Sequence, residues 1–189
     1  MKKQLILGSK SPRRQQILKD AGYNFTILTS DEEEIVDGQL AKCDVPEALA
    51  IDKAKHILPS IKEDDFILLT ADTIVLLHDE IIGKPKDTEE ARAHLQKLSG
   101  EVHEVVSGVC ITTKNTQISF SDITKVGFKH LTEEEIEYYV NNYEVLDKAG
   151  AYAVQEWIGM IGVKYLEGSY FNVMGLPIHK VYKELKTLM

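Results

Sequence analysis

Short apolar runs alternate along this chain with segments whose apolar residues recur every three or four positions. The runs near 4–8, 25–29, 66–72, 74–82, 102–113 and 117–129 read as strands, with further extended pieces near 151–155 and 159–165. Helical spacing fits 12–21, 46–58, 88–98, 133–142 and 178–187. Several of these segments carry start signals. Ser11 can cap a helix that begins at Pro12, Asp87-x-x-Glu90 and Thr132-x-x-Glu135 match capping boxes, and Pro177 suits the first turn of the last helix. Gly22 can end the first helix. The stretch VLLHDEIIG reads as a hairpin and interrupts any strict strand-helix-strand alternation. The pattern predicts an α/β fold with a mixed central sheet and flanking helices. No repeat, low-complexity tract or linker divides residues 1–189, so one continuous domain is expected.

Composition narrows the class. An apolar share of 43% and a charged share of 28% are ordinary for a globular protein, and no apolar run approaches a membrane span. Met-Lys-Lys-Gln precedes only a short apolar segment, which predicts neither signal peptide nor anchor and makes the cytoplasm the expected address. Cys43 and Cys110 lie far apart, against a disulfide framework or a cysteine zinc site. A net charge of −8 disfavours a general nucleic-acid binder. Lys10, Arg13 and Arg14 are the local exception. They crowd the start of a helix whose end already carries partial positive charge and prefers anions. An acidic chain that concentrates cations there points to a small anionic ligand.

Further residues suggest chemistry, each with a plainer alternative. Asp72 interrupts the apolar run FILLTADTIVLL, either as a turn residue bonding local amides or as a paired or metal-bound carboxylate. Asp31-Glu32-Glu33-Glu34 is either solvated surface or a source of oxygen ligands for a hard cation. Lys53 falls between Leu49 and Ile57 on the apolar face of its helix while Lys55 points away, so it either snorkels past the rim or reaches into a cleft. Lys84 sits in the rigid turn Ile82-Gly83-Lys84-Pro85. The chain lacks the P-loop pattern, H-E-x-x-H and G-x-S-x-G, and its 6 histidines show no metal-ligand spacing. Taken together, Arg13, Arg14, Lys53 and Lys84 can surround a polyphosphate while Glu34 and Asp72 hold a divalent ion against it.

These residues fall into an ordered set of motifs: SKSPRR at 9–14, Glu33-Glu34, KAK at 53–55, ADTIV at 71–75, GKP at 83–85, LSG at 98–100, DKAGAY at 147–152 and GLP at 175–177. In order and spacing they resemble the Maf family of nucleoside triphosphate pyrophosphatases, also described as septum formation proteins. The resemblance implies hydrolysis between the α and β phosphates to a monophosphate and pyrophosphate, with a divalent cation, Mg²⁺ or Mn²⁺. It implies a two-lobed fold around a cleft, like that of the inosine triphosphate pyrophosphatases. Carried over by motif, Arg14, Lys53 and Lys84 contact phosphates, Ser9 lies on the phosphate loop, Glu34 helps hold metal, and Asp72 holds metal and accepts the proton of the attacking water. Arg13, Thr73 and Gln155 resemble the subgroup acting on dTTP and UTP, a class that extends to modified pyrimidine nucleotides. The side-chain amide of Gln155 offers a donor and an acceptor to a pyrimidine edge. That subgroup usually has glycine after this glutamine, where this chain has Glu156. The substitution is expected to restrict the backbone and add negative charge near the base. The family also suggests a homodimer. Competing readings are a nucleotidyltransferase and a nucleotide-sensing regulator of cell division without turnover.

Overall fold

A computed structural model of the chain describes residues 3–30 and 40–189. Strand β1 (Gln4–Leu7) lies between β2 (Thr26–Ile27) and β3 (Phe66–Leu77) and runs parallel to both. With β5 (Val102–Thr112), β6 (Gln117–Phe128) and β7 (Val163–Glu167), the described strands follow the order β2-β1-β3-β5-β6-β7, and β4 (Glu80–Ile82) pairs with β3 off this path. β4 is antiparallel to β3 and β7 antiparallel to β6, so the sheet is mixed as the pattern predicted. The described helices are α1 (Pro12–Asp20), α2 (Val45–Ile57), α3 (Thr88–Leu98), α4 (Glu133–Asn142), α5 (Trp157–Gly162), α6 (Tyr170–Val173) and α7 (Ile178–Leu188).

The chain divides into two compact units. The first comprises Met1–Asp72, Ser107–Asp122 and Gly175–Met189. In its core, Ala50, Ala54 and Ile57 of α2 pack on Ile6, Phe66, Leu68 and Cys110 of the strands. The second comprises Thr73–Val106 and Ile123–Met174. Here Ala91, Leu95 and Leu98 of α3 and Ile136, Tyr139 and Val140 of α4 join Val105, Val126 and Phe128 of the strands. Each helix presents one apolar stripe to its core, as the helical spacing requires.

Most start and stop signals work as read. The Ser11 hydroxyl accepts the Arg14 amide with Pro12 opening α1, and Thr132 with Glu135 forms a reciprocal capping box on α4. Asp87 caps α3, but the Glu90 carboxylate takes the Lys86 amide instead of returning to Asp87, so that box is only half formed. Pro177 is the residue before α7, not its first.

Other expectations fail for identifiable reasons. The strand read at 66–72 continues without a break into the piece read at 74–82 as far as Leu77, forming β3, and that second piece then turns back into β4. His78 and Asp79 form that two-residue turn with φ of 45° and 68°, the backbone a tight hairpin requires, and the VLLHDEIIG hairpin is thereby confirmed. Residues 151–155 form no strand: left-handed backbone at Gly150 and Ala151 makes a 3-10 turn over Ala149–Ala151, Tyr152 adopts extended backbone, and the chain turns again at 154–155. The piece read at 159–165 begins inside helix α5 and becomes strand only at Val163.

Candidate active site

Within the first unit, two groups of predicted residues gather where the β1–β3 pairing ends, on the carboxyl side of β1. These strands are parallel, with Leu7 opposite Leu69, so Ser9–Arg14 follows the carboxyl end of β1 while Thr70–Asp72 continues β3 just past the stretch it pairs with β1. That end of a parallel pair is where open α/β sheets place ligands.

The first group is built around a nearly buried hydroxyl. Ser9 Oγ accepts the Ser11 amide at 3.2 Å and Arg14 Nη1 at 3.1 Å. Arg14 Nε donates to the Gly175 carbonyl at 2.8 Å. Gly175 has φ of +109°, a conformation that L side chains rarely adopt, which explains the glycine of the GLP motif. The guanidinium is thus oriented from two sides at the start of α1, whose first turn holds no acidic residue. Arg13, half-buried, shares that turn. A helix N-terminus with amides and a bidentate guanidinium is suited to phosphate oxygens.

The second group joins α2 to β3. The buried Thr70 hydroxyl donates to the Ala50 carbonyl at 2.6 Å, pinning the helix against the strand. Asp72 lies two residues beyond Thr70 on the same strand face, and Lys53 lies one helical turn beyond Ala50. This register brings Lys53 Nζ to 2.5 Å from Asp72 Oδ1. Their side chains are 18% and 19% exposed, and Lys55 is exposed on the other side of α2. A pair in this position gains little net stability, since desolvation offsets much of the attraction. It sets a cationic and an anionic tip side by side, the combination that phosphoryl transfer uses. The reading of Asp72 as a turn residue is overturned, for it sits within β3.

Gly8 makes room for this joint. A Cβ there would lie 2.6 Å from Thr70 Cγ2 and 2.8 Å from Ile57 Cδ1. The β-branched Thr70 thus fills the space that a side chain at position 8 would need.

Thr73, Lys84 and Gln155 belong to the second unit. Thr73 is half-buried on β3. Lys84 is exposed beside the buried Pro85, in a turn tied to the DKAGAY segment by the Gly150 amide, which donates to the Gly83 carbonyl at 3.0 Å. Gln155 occupies a turn closed by the Glu156 amide on the Ala153 carbonyl at 3.1 Å. Its Oε1 is buried and has no hydrogen-bond partner among the described residues.

Glu156 does not disturb the backbone as expected. Its φ of −95° is open to any residue, so no glycine is needed there. Nor is its charge uncompensated: its carboxylate accepts the Tyr139 hydroxyl and lies 3.4 Å from Lys148 Nζ.

Glu34, with Glu33 and the rest of the acidic run, lies outside the described residues. Among the described residues there is no group of three or more His, Cys, Asp or Glu side chains able to hold a metal by itself. Asp72 contributes one hard oxygen donor, which fits a Mg²⁺-like ion completed by other carboxylate, water and phosphate oxygens. No described helix is long and apolar enough to cross a membrane.

Sequence reading overlooked Thr70, whose hydroxyl sets the helix register, and the carbonyl of Gly175. It also overlooked Tyr139 and Lys148. Thr70 and Gly175 meet partners 20 and 161 residues away, and Tyr139 meets Glu156 17 residues on, whereas the partners of Lys148 are near but sit across a turn; only the ADT, GLP and DKAGAY motifs marked the neighbourhoods.

Residues 4–188 match the family described as Maf-like protein. The chain is 47% identical to the dTTP/UTP pyrophosphatase of Christiangramia forsetii over 186 residues, covering 98% of this chain and 94% of that protein. It is also 47% identical over 188 residues to the dTTP/UTP pyrophosphatase of Bacteroides thetaiotaomicron, covering 99% and 97%. Among solved structures, the Staphylococcus aureus Ham1 protein superposes with a TM-score of 0.57 at 14% identity, covering 99% of this chain and all of that one. That likeness speaks to fold and agrees with the expected architecture. With the family match spanning nearly every residue, the chain belongs to the Maf-like family.

Proposed function

We propose that this protein hydrolyses nucleoside triphosphates, dTTP and UTP foremost, to the monophosphate and pyrophosphate. The observation that carries the reading is the Lys53–Asp72 pair, where β3 runs on past its pairing with β1, on the same side as the Ser9–Arg14 loop that leaves the end of β1. Two relatives named dTTP/UTP pyrophosphatase, similar over nearly their whole length, supply the substrate class.

In this reading the chain acts as one functional domain over 1–189. Arg13, Arg14 and Lys84 bind phosphate oxygens, with Ser9 orienting Arg14. Asp72 receives the proton of the water attacking the α phosphorus, and Lys53 offsets charge developing on the phosphate oxygens. Gln155 and Thr73 contact the nucleoside, the amide of Gln155 matching the donor and acceptor of a uracil or thymine edge. Asp72 and Glu34 would hold a divalent cation, which would supply charge neutralisation for the triphosphate. The cytoplasmic address, the homodimer and activity on modified pyrimidine nucleotides belong to the same proposal, the last two resting on the resemblance.

The test is pyrophosphate release across dTTP, UTP, CTP, dITP and XTP with Mg²⁺ or Mn²⁺ and no acceptor. Cation-dependent release fastest with dTTP and UTP is expected. Release only when an acceptor is added would favour a nucleotidyltransferase, and tight binding without turnover would favour a sensor.

A further inference from the structure

The turn that carries Gln155 is held by a charged network that the proposed reaction does not use. Tyr139 lies in the core of the second unit, fully buried. Its hydroxyl accepts the Ala153 amide at 3.2 Å and donates to the Glu156 carboxylate, so one oxygen bridges the two ends of the Ala153–Glu156 turn. Burial, and then the adjacent Glu156, push the phenol well above its ordinary pKa, which keeps it a donor. Behind Glu156 stands Lys148, only 4% exposed, which lies 3.4 Å from it, 2.7 Å from Asp147 Oδ1 and in contact with the Glu144 carbonyl.

A second constraint acts on the backbone. Gly159, in the helix that follows, approaches the turn so closely that a Cβ would fall 2.0 Å from the Val154 carbonyl oxygen. Residue 155 therefore sits between neighbours fixed on both sides, and its own Oε1 is buried without a partner among the described residues. An unsatisfied buried acceptor is costly to maintain, so the amide gains a partner when the side chain turns out of the fold to meet a ligand donor.

We infer that Tyr139, Glu156 and Lys148 are positioning residues for nucleobase selection, clamping the 153–156 turn so that Gln155 presents its carbonyl oxygen as a fixed acceptor. The inference rests on the proposed role of Gln155. Uracil and thymine offer a donor at N3 and an acceptor at O4, whereas cytosine reverses both groups. An amide held with its oxygen toward N3 and its NH2 toward O4 matches the first pattern and meets like with like at both groups of cytosine. A loosely held glutamine could rotate its amide and accept either. Glu156, the departure from the family's usual glycine, becomes in this view the anionic centre of the clamp.

The test measures kcat and KM for UTP and CTP in the wild type, Gln155→Ala, Tyr139→Phe, Glu156→Gln, and each clamp variant combined with Gln155→Ala. Losing one such contact is expected to lower the UTP-to-CTP ratio of kcat/KM by about tenfold in Gln155→Ala. The clamp variants are expected to lower it by about threefold or more, through KM for UTP and with kcat little changed, and to add nothing in the Gln155→Ala background. Equal losses for both nucleotides, or an unchanged ratio, in the clamp variants while Gln155→Ala shifts it would overturn the clamp and leave the role of Gln155 intact. An unchanged ratio in Gln155→Ala itself would refute the role of Gln155, and the clamp with it. If Tyr139→Phe does not fold, Glu156→Gln decides, because it keeps the volume and an acceptor for Tyr139 and removes only the charge facing Lys148.

Discussion

The ammonium of Lys53, on α2, lies 2.5 Å from a carboxylate oxygen of Asp72, within β3, and the Thr70 hydroxyl on the Ala50 carbonyl holds the two elements in that register. If Asp72 is the proton acceptor, Asp72→Asn keeps the side-chain shape and removes the base. Turnover is expected to fall about a hundredfold or more, with nucleotide affinity changed far less. Single-turnover kinetics alongside equilibrium titration with dTTP separate the two quantities, and a variant with normal turnover would refute the assignment.

Arg14 uses Nε on Gly175 and Nη1 on Ser9, a geometry that an ammonium cannot reproduce. Arg14→Lys should raise KM for dTTP about tenfold, the effect of losing one charge-assisted contact. Ser9→Ala should act in the same direction but more weakly, since it frees the guanidinium without removing it. Steady-state kinetics of the three proteins check the order.

Gly8 and Thr70 are steric partners, with 2.6 Å between the would-be Cβ and Thr70 Cγ2. Gly8→Ala should destabilise the fold by ~1–3 kcal/mol, the usual cost of overpacking. Adding Thr70→Ser removes the methyl and keeps the hydroxyl that holds Ala50, so the double variant should recover part of the loss. Denaturant unfolding of the four proteins gives the coupling, and strict additivity would show that the contact does not govern the site.

His103 is 1% exposed, with Nε2 2.7 Å from the Tyr152 hydroxyl and Phe128 packed edge-on at 5.2 Å between ring centres. Burial lowers its pKa from 6.5 to about 4, so the unfolded chain binds a proton more readily than the folded one across that range. Its contribution is complete above pH 6.5 and is lost as pH falls toward 4, a span worth about 3 kcal/mol. Unfolding free energy should therefore decline over this window more steeply in the wild type than in His103→Gln. Parallel curves for the two proteins would exclude His103 as the source.

Local signals made much of this fold legible. Ser11-Pro12 opened α1 as capping predicts, Thr132 and Glu135 closed their box, and the period of α2 put Lys53 on the face that meets β3. Asp72 was harder to read. A carboxylate in an apolar run breaks the strand pattern, and the text alone does not show that a helical lysine 19 residues earlier meets it. Arg14 with Gly175, 161 residues apart, and Tyr139 with Glu156 are tertiary pairings that no window of periodicity can register. The chain from 149 to 163 misled for a different reason. Its apolar residues suit a strand, but left-handed backbone at Gly150 and Ala151 and the close approach of Gly159 to Val154 impose a coil and a short helix.

The most direct measurement is the fate of labelled oxygen when dTTP is hydrolysed in water enriched in oxygen-18. Attack at the α phosphorus places the label in dTMP and leaves pyrophosphate unlabelled. Label in pyrophosphate would move the attack to the β phosphorus, and absence of any turnover would remove the hydrolytic function itself.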